Sequence, residues 1–223
     1  TRFLDFQRLE ADAQRARIER AAERIRAEAM AMTSTKDLVL VSGLVAHELR
    51  GLGIPTQSCM IFFLDEEHRI LHRHLAFNVD LDELEIPYDP DRVQRLPIGS
   101  YVSYDGQAIS DPPTAQGRSY FDKLQSRGTE IQEFPDEHVE KIWHDGNDLT
   151  DFGIDSTLHN HKLLGDDYGM MQVVAFWRQG MLGTRSCGIT PDMAPQLEAA
   201  LSEFGDALAL GFTRFQDFQR LEQ

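Results

Sequence analysis

Basic side chains, cysteines and long apolar runs are all scarce in this 223-residue chain, and each scarcity removes a class of function. Lys and Arg number 22 against 37 Asp and Glu, a formal net charge of −15. A surface that grips nucleic-acid phosphates needs Lys and Arg gathered on one face, so nucleic acid is not an expected partner. An anionic membrane surface is disfavoured for the same reason. Two cysteines, Cys59 and Cys187, are too few for a disulfide framework. No apolar run approaches the roughly 20 residues of a membrane span, and the arginine-rich, helix-forming N-terminal stretch is unlike a signal peptide. The expectation is a soluble, cytoplasmic protein. Hydrophobic residues at 41% and charged residues at 26% exclude wholesale disorder. The length fits one large domain, or one domain with an extension.

The chain does contain an internal echo. Residues 1–10 read Thr-Arg-Phe-Leu-Asp-Phe-Gln-Arg-Leu-Glu, and residues 213–222 repeat them at nine of ten positions with an offset of 212. Such a repeat points to a longer polypeptide in which one module of this length follows another. The missing initial Met fits that expectation. A duplicated tag is the plain alternative, but both copies lie within helical sequence that continues in each direction.

From Thr1 to Met32 there is neither Gly nor Pro, and strong helix formers dominate. As one helix this stretch would span about 48 Å. Phe6, Leu9, Ala13 and Ala16 form one apolar seam, and Ile18, Ala21, Ile25 and Met32 a second. The two are out of phase, which predicts a register shift near residues 16–18 and favours a parallel coiled-coil linker between dimeric modules over a solvated helix packing on its own domain. A second helix runs from Thr33–Thr35 to about Leu52, stopped by Gly51, Gly53 and Pro55. Cys59–Leu64 and Ile70–Phe77 form a predicted hairpin, and a further strand falls within Pro97–Tyr104. Tyr120–Ser126 and Asp136–Trp143 read as helical and Glu130–Phe134 as extended. Met170–Trp177 and Leu182–Cys187 form a second hairpin, and Thr190-Pro191 opens a last helix through Leu197, Leu201, Phe204, Leu208 and Phe212. This order defines an α+β domain with a central antiparallel sheet of about six strands flanked by helices. The divisions are 1–32 linker helix, 33–203 domain and 204–223 outgoing helix.

Phe204–Glu222 and Ile18–Met32, with the Cys59–Leu64 and Met170–Cys187 strands, resemble the GAF-like sensory modules strung in series in bacterial signalling proteins. Phe204–Glu222 resembles the outgoing helix of such a module and Ile18–Met32 its incoming linker. The resemblance implies a pocket on one sheet face, helices on the other that pair in a homodimer, and sensing or relay rather than catalysis. Residues 80–165 match only in element order and length. The Asn-Lys-Phe-Asp-Glu signature of cyclic-nucleotide-binding relatives is absent, as is the Asp-x-Cys-Phe context of some bilin-binding ones. No ligand or cofactor is therefore named.

Other motifs are weighed against plain structural roles. His47-Glu48-Leu49-Arg50 copies the start of a histidine-kinase phosphoacceptor box, but its helix ends at Gly51-Leu52-Gly53 and no Gly-rich ATP lid follows. His72, His74, His159 and His161 form two pairs at strand period, which would supply four nitrogen ligands to zinc if they met. The carboxylates of Asp65–Glu67 and Asp80–Glu85 lie at expected turns and helix surfaces, where solvated charge is the ordinary state. No nucleophile elbow, phosphate loop or Cys-x-x-Cys occurs, and no catalytic residue is assigned. Tyr101, Tyr104, Trp143, His144 and Trp177 are the candidates for a pocket that takes a planar ligand, and they suit an ordinary core equally well.

The functional expectation is a non-catalytic sensory or relay module. Phe6, Leu9, Ile18, Ile25, Leu208 and Phe212 are its expected dimer-helix contacts, and its partners a second copy, neighbouring modules and a small molecule. The alternatives are a structural repeat that assembles without ligand and, below it, a metal-dependent enzyme using the histidine pairs. Two mechanical expectations accompany the main reading. Removing residues 1–32 leaves a folded core, and Leu201 is covered by the sheet whereas Phe212 is covered by the partner chain.

Overall fold

The computed structural model describes residues 2–34, 37–56, 58–65, 70–78, 94–95, 101–105, 109–110, 123–124, 128–134, 170–177, 179–187, 190 and 192–222. Three helices and eight strands lie within them. Helix α1 is Arg2–Ala31, α2 is Leu38–Gly51 and α3 is Ala194–Glu222. The strands are β1 (Ser58–Asp65), β2 (Ile70–Asn78), β3 (Gln94–Arg95), β4 (Tyr101–Asp105), β5 (Ile109–Ser110), β6 (Gly128–Phe134), β7 (Met170–Trp177) and β8 (Gly180–Cys187). They form one sheet in the order β3-β4-β2-β1-β8-β7-β6, with β5 added to β2, and every pairing is antiparallel. Five of the strands have seven residues or more; the other three are short. The Asp136–Trp143 helix and most of the 80–165 stretch lie outside the described residues.

The end of α2 shows how sequence sets an element boundary. Gly53 has φ +82°, a conformation that costs glycine nothing. Its amide donates to the Arg50 carbonyl (2.9 Å) and the Ile54 amide to the Leu49 carbonyl (3.0 Å), the Schellman pattern that closes a helix. Side chains from the other two helices cover the remaining carbonyls. Arg17 of α1 donates to Gly51 O (2.8 Å), and Gln196 of α3 donates to Leu52 O (3.0 Å).

Those contacts also fix the helix directions. Residues 17 and 196 meet at one end of α2, while Ala29 lies against Gly211 farther along, so α1 and α3 run parallel. A Cβ on Gly211 would overlap Ala29, and one on Gly205 would fall 3.0 Å from Ala175 Cβ on β7. Small residues thus let α3 lie close to both α1 and the sheet.

The core sits between the three helices and one sheet face. Cys59, Ile61 and Phe63 of β1 enter it together with Ala76, Val173, Ala175, Trp177 and Leu182. The helices contribute Ile18, Ile25, Ala29, Leu38, Leu49, Leu201, Phe204, Leu208 and Phe212, all buried. The Phe212 ring lies 5.5 Å from Phe63 and 6.1 Å from Trp177, centroid to centroid.

This packing corrects part of the expected dimer seam. Ile18, Ile25, Leu208 and Phe212 are buried within a single chain, because two parallel helices resting on a sheet satisfy each other's apolar faces. Leu201 and Phe212 are both covered in the same chain. Phe6 and Leu9 are 58% and 67% exposed. The change falls at residues 16–18, where the two seams shift phase: below it α1 projects clear of the body, and above it α1 belongs to the core.

Candidate functional site

Alternation along β1 divides the sheet into two apolar faces. Cys59, Ile61 and Phe63 face the helices, so Ser58, Met60, Phe62 and Leu64 lie on the far side. Register carries that side across the sheet. Met60 is paired with Leu75 and with Gly183, and Gly183 in turn with Val174; Phe62 is paired with Met181, which is paired with Phe176. The glycine lets Met60 pack close over the strand, since a Cβ there would lie 3.2 Å from Met60 Cε and 3.8 Å from Val174 Cγ2. Met60, Phe62, Leu64, Leu75, Val174, Phe176 and Met181 are all buried on this face.

The centre of the far face is apolar, while the register sets Arg73 opposite Phe62, Glu130 opposite Val174 and Arg185 opposite Ser58. At its edge the buried Ser58 Oγ has no hydrogen-bond partner among the described residues. Two methionines give it adaptable, polarizable surface able to follow an irregular molecule. On the helix side, burial drives the Cys59 thiol pKa upward, so Cys59 is an inert core residue rather than a nucleophile.

The residues singled out from sequence are dispersed. Trp177, read as a pocket candidate, lies on the helix face against Phe212 and belongs to the core. Tyr104 and Tyr101 stand in β4 opposite Leu75 and Asn78. Trp143, His144, His159 and His161 lie outside the described residues. His72 stands opposite Phe63 in the ladder; His74 is buried and stacks on Phe63 at 6.0 Å, on the helix side. Among the described residues no group of three or more His, Cys, Asp or Glu is placed to hold a metal ion. His47 is exposed on α2, and Glu48 beside it is turned inward to accept two hydrogen bonds from Arg24, at 2.6 and 2.5 Å.

Met60, Phe62, Val174, Phe176 and Met181 were not singled out by sequence reasoning. The runs containing them are apolar at successive positions, so period-two alternation does not separate the faces. The glycine at position 183 was the available signal, since an isolated strand glycine marks a close approach.

The described residues therefore define a class: an α+β domain with one antiparallel sheet, three helices on one face and a second buried apolar surface on the other. No described helix is long and apolar enough to cross a membrane. No family model matches the chain, and no curated protein matches it. Among solved structures it is similar to the GAF domain from Acinetobacter phosphoenolpyruvate-protein phosphotransferase. The two are 12% identical, the match covers 86% of this chain and 93% of that chain, and the TM-score is 0.40.

Proposed function

We propose that the chain is a non-catalytic, GAF-like sensory module that takes a small, largely apolar ligand against the far face of the sheet. The observation behind this reading is a second apolar layer of Met60, Phe62, Leu75, Val174, Phe176 and Met181, enclosed within the chain and separated from the helices by one strand layer. Strand β1 links the two sides. Phe62 faces the proposed ligand, while its neighbours Ile61 and Phe63 face the helices, where Phe63 meets Phe212 of α3.

A ligand that favours one position of β1 would bias the packing of α3 against α1, a population shift between two helix arrangements. The output passes along the projecting helices to neighbouring modules and to a second copy of the chain. The decapeptide repeat favours a second reading, in which copies form a structural array without ligand.

Native mass spectrometry of the purified chain, with thermal-shift screening of small planar and aliphatic molecules, separates the two. The sensor reading expects a bound or stabilising molecule that is lost in Gly183→Leu, whose side chain would displace Met60 from the centre of the far face. Unchanged helical circular dichroism in that variant shows that the body still folds. No stabilising molecule for the native chain, or equal binding by Gly183→Leu, would overturn the reading.

A further inference from the structure

We infer that Thr1–Glu10 is a docking segment for the body of a second copy of this module, and that consecutive copies share one continuous helix. The inference is independent of any ligand. It starts from the opposite fates of two nearly identical segments. Phe215 is 4% exposed and belongs to the core, whereas Phe3, the same position in the first copy of the repeat, is 70% exposed. Leu4, Phe6 and Leu9 beside Phe3 are also exposed. The body that covers Phe215 is thus the surface this segment fits, and Phe3 lacks that cover within its own chain.

Helix direction makes the arrangement possible. Because α1 and α3 are parallel, with Ala29 beside Gly211, the first decapeptide projects beyond one end of the pair and the second beyond the other. When Thr213–Glu222 serves as Thr1–Glu10 of a following copy, α3 runs directly into that copy's α1.

The phase of the two buried faces then decides where the second body lies. Ile18, Ile25 and Ala29 of the following copy fall 18, 25 and 29 residues beyond Phe212. At 3.6 residues per turn these are about five, seven and eight turns, so all three emerge on the side of the helix that carries Phe212. Both bodies therefore sit on one side of the shared helix. The second Ala29 lies 30 residues beyond Gly211, whereas the first lies beside it. Successive bodies are therefore displaced by about 45 Å along the axis.

The test uses two complete copies joined through a single shared decapeptide, residue 222 of the first followed directly by residue 11 of the second. Small-angle X-ray scattering should give a rigid particle with an inter-body separation close to the value above. Inserting Ala-Ala between Gln14 and Arg15 of the second copy should lengthen the helix by only about 3 Å while swinging the second body about 200° to the opposite side. Inserting seven alanines at the same point, about two full turns, should restore the original side at a larger spacing. Thermal melts of each protein confirm that both bodies fold. A scattering profile of flexibly tethered bodies, or one that responds identically to two and seven inserted residues, would overturn the inference.

Discussion

Glu48 is a carboxylate with little access to water, and its burial is tolerated because Arg24 meets both of its oxygens across the α1–α2 contact. Hydrogen bonding to Glu48 also raises the Arg24 pKa. Arg24→Ala leaves that carboxylate without its cation. The expected loss is about 1–2 kcal/mol by chemical denaturation, limited by the solvent exposure of the guanidinium. A different carboxylate ties the link between these helices. Partial burial pushes the Asp37 pKa up, but hydrogen bonds from the Thr33 and Ser34 amides and hydroxyls outweigh it and hold the group below its ordinary value. The stability it supplies is complete above the unfolded carboxylate value of about 3.9 and disappears as pH falls through the lower folded value. Melting temperatures of Asp37→Ala and the native chain should therefore differ most near neutral pH and converge in the acid limb. His47 faces outward beside this framework and has no assigned chemical task. Incubation of the chain with ATP should yield no acid-labile phosphate; phosphohistidine at position 47 would contradict the proposed function.

Elements were more legible in the sequence than the faces they present. The β1–β2 hairpin, β6, β7, β8 and all three helices fall where Gly and Pro punctuation and apolar runs place them. The burial of Phe212 was not legible, because its stripe through Leu208 and Phe204 fits a partner helix or a sheet equally well. What decides is the pair Gly205 and Gly211, whose missing side chains admit Ala175 and Ala29 and draw α3 onto its own body. The far face escaped notice for a related reason, since strands apolar on both sides carry no alternation. Two predictions belong to this scale. Leu201→Ala and Phe212→Ala should both lower the melting temperature independently of protein concentration, with losses of about 2–5 and 3–5 kcal/mol. Gly211→Val should force α1 and α3 apart and destabilise the fold by about 1–3 kcal/mol, whereas Gly51→Ala, with open space around it, should cost far less. A concentration-dependent effect confined to Phe212→Ala would return that residue to a dimer seam.

At the scale of the molecule, α1 is two objects joined near residues 16–18. Residues 3–13 are exposed throughout, so deleting residues 1–13 removes only surface, whose contribution is within about 0.5 kcal/mol. The shortened chain should melt within about 2 °C of the full one. Any self-association through Phe6 and Leu9 should disappear with those residues. Deleting residues 1–32 is a different operation. It strips Ile18, Ile25 and Met32 from the core together with Ala21, Ala22 and Ala29, and it uncovers the small-residue face of α3 around Gly211. Burial of the three large side chains alone supplies about 1.5–3 kcal/mol each, comparable with the whole stability of about 5–15 kcal/mol typical of a domain. The longer deletion should therefore lose its cooperative unfolding transition and bind a hydrophobic dye, reversing the expectation from sequence that a folded core begins after residue 32. If both deletions melt alike, residues 18–32 are dispensable to the body. The parallel α1–α3 contact would then have no mechanical role, and a helix leaving at Phe215 would have nothing to carry forward.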